Sequence, residues 1–120
     1  MNYLKIKPVR DKKYLKAISG YGCSICGHEE AAAHHIINYG GIMGSKPSDH
    51  LTFALCNGHH VASSICGIHN NVKKWENEHE LQTTYIKNTL IDALQYGHIN
   101  DKDYEIAYAQ CVDLQQRFRS

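Results

Sequence analysis

The chain has 120 residues, the length of one domain, and its 42% hydrophobic and 21% charged residues exclude a disordered polymer. Thirteen Lys and Arg against 12 Asp and Glu leave a formal charge of +1, which excludes a polycationic wrapping protein while leaving room for a local basic patch. Apolar stretches run only a few residues and the stretch from Met1 to Pro8 has no apolar core of signal-peptide type, so neither a membrane span nor export is expected, and the expected location is cytoplasmic.

In chain order, the basic stretch from Met1 to Arg10 reads as extended. Asp11 to Ser19 (DKKYLKAIS) reads as a helix with Asp11 as cap and Tyr14, Leu15 and Ile18 on one face, broken by Gly20 and Gly22. Cys23 to Gly27 (CSICG) reads as a tight knuckle-type turn. Ala31 to Ile37 (AAAHHII) suits helix or strand on propensity alone. Asn38 to Asp49, with Gly40, Gly41, Gly44 and Pro47, reads as a loop. Leu51 to Leu55 is a short strand ending at Cys56, and a helix is expected from Asn57 through His59, His60 and Val61, limited by Gly67. Val72 to Asn88 reads as helix with an interruption near His79, extended by Leu90, Ile91 and Leu94 to Tyr96 and stopped by Gly97. Asp101 to Arg119 gives the last helix, with Tyr104, Ala107, Tyr108, Cys111, Leu114 and Phe118 recurring at three- and four-residue steps. The whole reads as one domain over 1–120, with a core over about 20–76 and a helical part over about 77–120.

Nine His and five Cys are the unusual counts. A disulfide framework suits neither an odd number of cysteines nor a chain without an export signal, so Cys beside His points to metal. Cys23-x-x-Cys26 is one zinc-knuckle half, because the turn between the two residues points both sulfurs inward. Cys56-x-x-His59 is a second half, and together they make a closed Cys3His set of structural type. Cys66-x-x-His69 has the same spacing and remains a rival; the apolar run leading straight into Cys56 favours the first pairing. The plain alternative is two buried cysteines beside a solvated histidine. Cys111 sits on a helix core face as a small hydrophobe. His28, His79 and His98 have no evident partners and read as solvated or capping.

Between the knuckle halves stands the pair His34-His35, and His60 follows the zinc ligand His59. In an extended segment adjacent side chains point to opposite faces, so the pair can divide two tasks: one turns toward a divalent ion shared with His60, the other faces a water or substrate. The alternative is a pair of buried, hydrogen-bonded histidines.

The order Cys-x-x-Cys, His-His, Cys-x-x-His-His resembles the HNH endonucleases of the ββα-metal (His-Me finger) fold, and within them the phage recombination-enhancement (Ref-type) nucleases and related prophage proteins. Gly40-Gly41-Ile42-Met43-Gly44, Lys46 with Asp49, and Gly67-Ile68-His69 followed by Trp75-Glu76 stand in the order of that group, over roughly Tyr14 to Leu90. The resemblance implies an α+β fold: a zinc-stapled ββα-metal core with an N-terminal helix and C-terminal helices. It implies that His35 is the general base, that His34 and His60 are ligands of a catalytic divalent ion, and that His69 is a third ligand or a phosphate contact. The chain departs from the family at the middle Asn of the motif, where Leu51 stands at the expected offset and Asp49 or His50 is the nearest polar residue.

The residue types suit phosphodiester hydrolysis, which needs a base of near-neutral pKa and a cation against the developing charge. Imidazoles hold Mg2+ loosely and Mn2+, Ni2+ or Zn2+ better, so the expected ions are a structural Zn2+ and a catalytic Mg2+ or Mn2+. Cations gather at Lys5, Lys7, Arg10, Lys12 and Lys13, at Lys73 and Lys74, and at Arg117 and Arg119; Lys46, in a glycine-rich loop, is the one best suited to a phosphate. The expected function is a metal-dependent endonuclease acting on DNA in a phage or prophage recombination setting, located in the bacterial host, with a RecA-type recombinase filament as the further partner the resemblance raises. Two other readings stand beside it: a non-catalytic zinc module that binds nucleic acid or a recombinase, and a metallohydrolase using its zinc on a small substrate.

Overall fold

The computed structural model describes residues 8–39, 47–61 and 64–119. It is an α+β arrangement whose elements run α1 (Lys12–Ser19), β1 (Ala31–His35), β2 (Thr52–Cys56), α2 (Asn57–His60), α3 (Val72–Glu78), α4 (Gln82–Gln95) and α5 (Asp101–Phe118). Asp11 caps α1 by accepting from the Tyr14 N–H, and Tyr14 and Ile18, one turn apart, face inward.

The two strands pair antiparallel, with Ala31 opposite Cys56, Ala33 opposite Ala54, His34 opposite Phe53 and His35 opposite Thr52. The ambiguous Ala-rich segment is therefore a strand. Its alanines favour helix in isolation, but the backbone groups of β2 are buried and need partners. The sheet divides by side-chain alternation. On one face Phe53 stacks on Tyr85 at 5.4 Å and lies 6.1 Å from Trp75, which places that face under α3 and α4. His34 touches Phe53 edge-on and shares this face, while His35 and Thr52 point the other way. Helices α1, α2 and α4 all pack on the sheet.

Two boundaries differ from expectation. Leu51 precedes β2 and spends its carbonyl on the Ile36 N–H. The helix expected through Val61 ends at His60. The interruption expected near His79 is a break at 79–81, where His79 caps α3 and a new helix starts after Leu81. Gly97 closes α4 at φ +77°, with its N–H on Leu94 and the His98 N–H on Ala93, an arrangement that requires a left-handed residue. α5 opens on Asn100, which accepts from the Asp103 N–H, and buries Ala107, Cys111 and Leu114. Among the described residues no helix is long and apolar enough to cross a membrane.

Candidate functional site

The knuckle begins where Gly22, at φ +85°, turns the chain into Cys23. The Cys23 N–H reaches the His28 carbonyl at 2.9 Å and the Gly27 N–H reaches the Cys23 carbonyl at 2.8 Å, closing a turn around both cysteines. The other half is made by the junction of β2 and α2: Cys56 ends the strand and His59 follows three residues later, on the same side of the first helical turn. The four donor atoms of Cys23, Cys26, Cys56 and His59 lie within 4.8 Å of one another. The Cys26–Cys56 sulfur separation is 3.7 Å, and His59 Nδ1 stands 3.8 Å from Cys23 Sγ and 3.2 Å from Cys56 Sγ. A tetrahedral ion with Zn–S bonds of about 2.3 Å needs sulfurs roughly 3.8 Å apart. The donor set and its edges therefore fit a metal such as zinc.

The thiols are unequal. Burial opposes ionisation of Cys23, yet backbone N–H groups directed at its sulfur, that of Ile25 at 3.4 Å among them, hold its pKa below the ordinary thiol value. Cys26 goes the other way: the His28 N–H favours its anion, but desolvation and the neighbouring sulfurs of Cys23 and Cys56 raise it. A shared cation removes that repulsion. All five cysteines are free.

A second cluster lies beside the first. His34 of β1, His60 of α2 and His69 offer ligand nitrogens within 4.8 Å of one another, with ring centroids 5.0, 5.2 and 4.9 Å apart. His59 and His60 are consecutive on a helical turn, so their side chains diverge by about 100° and serve different clusters. His69 is brought in by backbone pairing: the Ile68 N–H bonds the His59 carbonyl at 2.9 Å and the His69 N–H bonds the His60 carbonyl at 3.1 Å. This pairing needs Gly67, because a Cβ there would run into the Val61 carbonyl. Gly67→Ala is accordingly expected to cost about 1–3 kcal/mol of stability and to loosen His69. Thermal melting together with Co2+ titration of the histidine cluster checks both effects; unchanged values in both would show that the 64–69 turn rearranges freely.

Burial pushes His34 down to about 3, helped by the neighbouring His60, His69 and His35 and opposed by a hydrogen bond to Gln82. Burial and His69 also lower His60. Both imidazoles are thus neutral at neutral pH, the state in which a histidine ligates a metal.

On the opposite face, His35 Nε2 lies 2.8 Å from Asp49 Oδ1. Asp49 is only 2% exposed, and its Oδ2 accepts from the Asp11 N–H at 2.7 Å. Burial disfavours the carboxylate, but the His35 and Asp11 hydrogen bonds and the Arg10 guanidinium at 3.8 Å outweigh it and lower its pKa. An ionised carboxylate only accepts, so His35 donates from Nε2, and in the neutral imidazole the lone pair is then on Nδ1. Asp49 itself is held by a strap. Val9 takes the Asp49 N–H on its carbonyl and gives its own N–H to Ser48 Oγ, while Arg10 Nη1 reaches the Pro47 carbonyl at 2.8 Å. His50, the other polar candidate, turns instead to Asp11 Oδ2 at 2.9 Å and packs edge-on against Tyr14.

The structure thus brings His34, His60 and His69 together and sets His35 apart with Asp49. The rival knuckle half is split: His69 joins the histidine cluster, whereas Cys66 is exposed and belongs to neither described group. Lys46 lies outside the described residues, as do Lys5, Lys7 and residues 40–46 of the glycine-rich loop. Arg119, one of the gathered cations, is an ion-pair partner of Glu76 at 2.9 Å. His98 is exposed, as expected, and also hydrogen-bonded to Tyr21 Oη, while His79 caps the end of α3 and packs against Trp75. Gln82 escaped the sequence reading, because nothing in a helix-start glutamine signals that its side chain reaches His34 of β1, 48 residues away.

No curated protein and no solved structure matches the chain. A family model described as protein of unknown function (DUF968) matches residues 1–97.

Proposed function

The chain belongs to the DUF968 family, whose function is unknown, and we propose that it is a metal-dependent endonuclease of HNH (ββα-metal) type that hydrolyses DNA phosphodiester bonds. One observation carries this reading: three imidazoles, His34, His60 and His69, converge, and the residue that follows His34 on the strand, His35, is hydrogen-bonded to a buried carboxylate. The order β1, β2, α2, with Cys23, Cys26, Cys56 and His59 stapling the strand end to the knuckle, supports the same family. DNA as the substrate follows from the resemblance to HNH nucleases, not from charge.

In this reading His35 Nδ1 takes a proton from the attacking water as the P–O bond to the leaving oxygen breaks. Asp49 keeps the Nε2–H in place and stabilises the imidazolium that forms, at no cost in reorganisation because its second oxygen is already fixed by the Asp11 N–H. His34, His60 and His69 would hold a divalent ion, which would supply Lewis-acid stabilisation of the charge that develops on the phosphate and the leaving oxygen. An all-nitrogen set favours Mn2+, Ni2+ or Zn2+ over Mg2+.

The test is nicking of supercoiled plasmid by the zinc-loaded chain in Mn2+, with and without a RecA-type filament, beside His69→Ala. His69 is exposed, so its loss should spare the fold. Wild type is expected to nick, and His69→Ala to need at least tenfold more Mn2+ for the same rate. DNA binding without nicking in every arm would instead support a binding module.

A further inference from the structure

The side chain of Gln82, fully buried at the start of α4, faces the histidine cluster from behind. Its Oε1 accepts the Ile37 N–H at 3.1 Å and its Nε2 donates to the Ile37 carbonyl at 2.9 Å. Those two bonds fix which end of the amide is oxygen. The same Oε1 stands 3.2 Å from His34 Nε2. A carbonyl oxygen cannot donate, so the bond exists only if His34 carries its proton on Nε2. The remaining lone pair, the only one with which His34 can ligate, is then on Nδ1.

We propose that Gln82 is a positioning residue for the histidine-bound ion: it holds His34 as the Nε2–H tautomer and thereby presents Nδ1 as the ligand shared with His60 and His69. The inference deepens the function proposed above, since it rests on the three-histidine metal centre. It also extends that centre beyond the strands and α2. The Gln82 backbone N–H donates to Glu76 Oε2 at 3.1 Å, the same oxygen accepts from Tyr39 Oη at 2.9 Å, and Arg119 Nε binds Glu76 Oε1. Arg119 Nη2 donates to the Asn38 carbonyl, and its guanidinium lies 4.0 Å over the Tyr39 ring. Each polar atom in this relay has a partner, so Gln82 is held by both its backbone and its amide. An outer partner that donates to or accepts from a ligating histidine fixes ring orientation and ligand basicity, and its loss typically weakens metal binding 10–100-fold.

Two readouts test this on the full chain with zinc in the cysteine site. The first is long-range 1H–15N NMR of 15N-histidine-labelled wild type before a second ion is added. His34 is expected to show the Nε2–H pattern; an Nδ1–H pattern overturns the proposal and needs no variant. The second is titration with Co2+ of wild type and Gln82→Met, with zinc content and melting as folding checks. Wild type is expected to bind one further Co2+, and Gln82→Met to bind it 10–100-fold more weakly. A purely structural glutamine would leave the Co2+ affinity of folded Gln82→Met at the wild-type value, and that result overturns the proposal, as does the lack of any second Co2+ in wild type. Should Gln82→Met not fold, the wild-type tautomer decides. Gln82-dependent Co2+ binding in a chain that never nicks DNA would remove the nuclease reading and leave this one standing.

Discussion

Cys56→Ser is expected to leave the chain largely unfolded at 37 °C, and chelation of the native chain to do the same. Cys56 ends β2, pairs across the sheet with Ala31 and stands 3.7 Å from Cys26 Sγ, so it joins the sheet to the knuckle at one point. Metal affinity at such sites is folding free energy, about 10 kcal/mol or more in zinc-finger peptides. A domain of this size has a total stability of about 5–15 kcal/mol. Loss of one ligand therefore removes a large fraction of what holds the chain folded. Cys66→Ser is the internal control: Cys66 is exposed and outside both clusters, so a change within about 0.5 kcal/mol is expected. Urea unfolding with elemental zinc analysis checks the pair. Equal midpoints for Cys56→Ser and wild type would show that the knuckle contributes nothing to folding.

His35→Ala is expected to lower plasmid nicking by about 10²–10⁴-fold while leaving zinc content, melting and the second-ion affinity near wild type. The side chain is 15% exposed, and its one polar contact among the described residues is Asp49, which keeps the Asp11 and Arg10 contacts when the imidazole goes. The separation of effects is the informative part. A general base removed from a scaffold that others hold should cost rate alone. If His35→Ala melts well below wild type, the histidine is a structural partner of Asp49; if it nicks at the wild-type rate, another group takes the proton.

What the sequence could and could not convey follows from the range of each interaction. The knuckle halves were legible because a tetrahedral ion imposes short local spacings, Cys-x-x-Cys and Cys-x-x-His. The same spacing at Cys66 and His69 could not be told apart from them. That choice is made by Gly67 passing over Val61 and by the backbone pairing of 68–69 with 59–60, neither of which has a local signature. The helices were legible from periodicity and end signals, with Asp11 and Gly97 in their expected places. β1 was ambiguous because only its partner decides it. Counting along the motif led to Leu51, a core residue, with Asp49 or His50 as the polar candidates beside it; the residue on His35 is Asp49, placed by a segment 38 to 40 positions upstream. Gln82 is the extreme case, a polar side chain whose role depends wholly on a strand it does not adjoin in sequence.

The strap of Val9 to Asp11 over the 47–50 turn has a practical bearing on how this chain is handled. Those residues are synthesised before the turn they bind, and the hydrogen bonds they make wait until some 40 later positions have followed, so docking of this arm is a late event in assembly. Anyone trimming the protein for crystals, or fusing a tag, has to respect that order. A cut placed just before α1 would keep every helix and both clusters, and would still release the carboxylate on which the orientation of His35 depends.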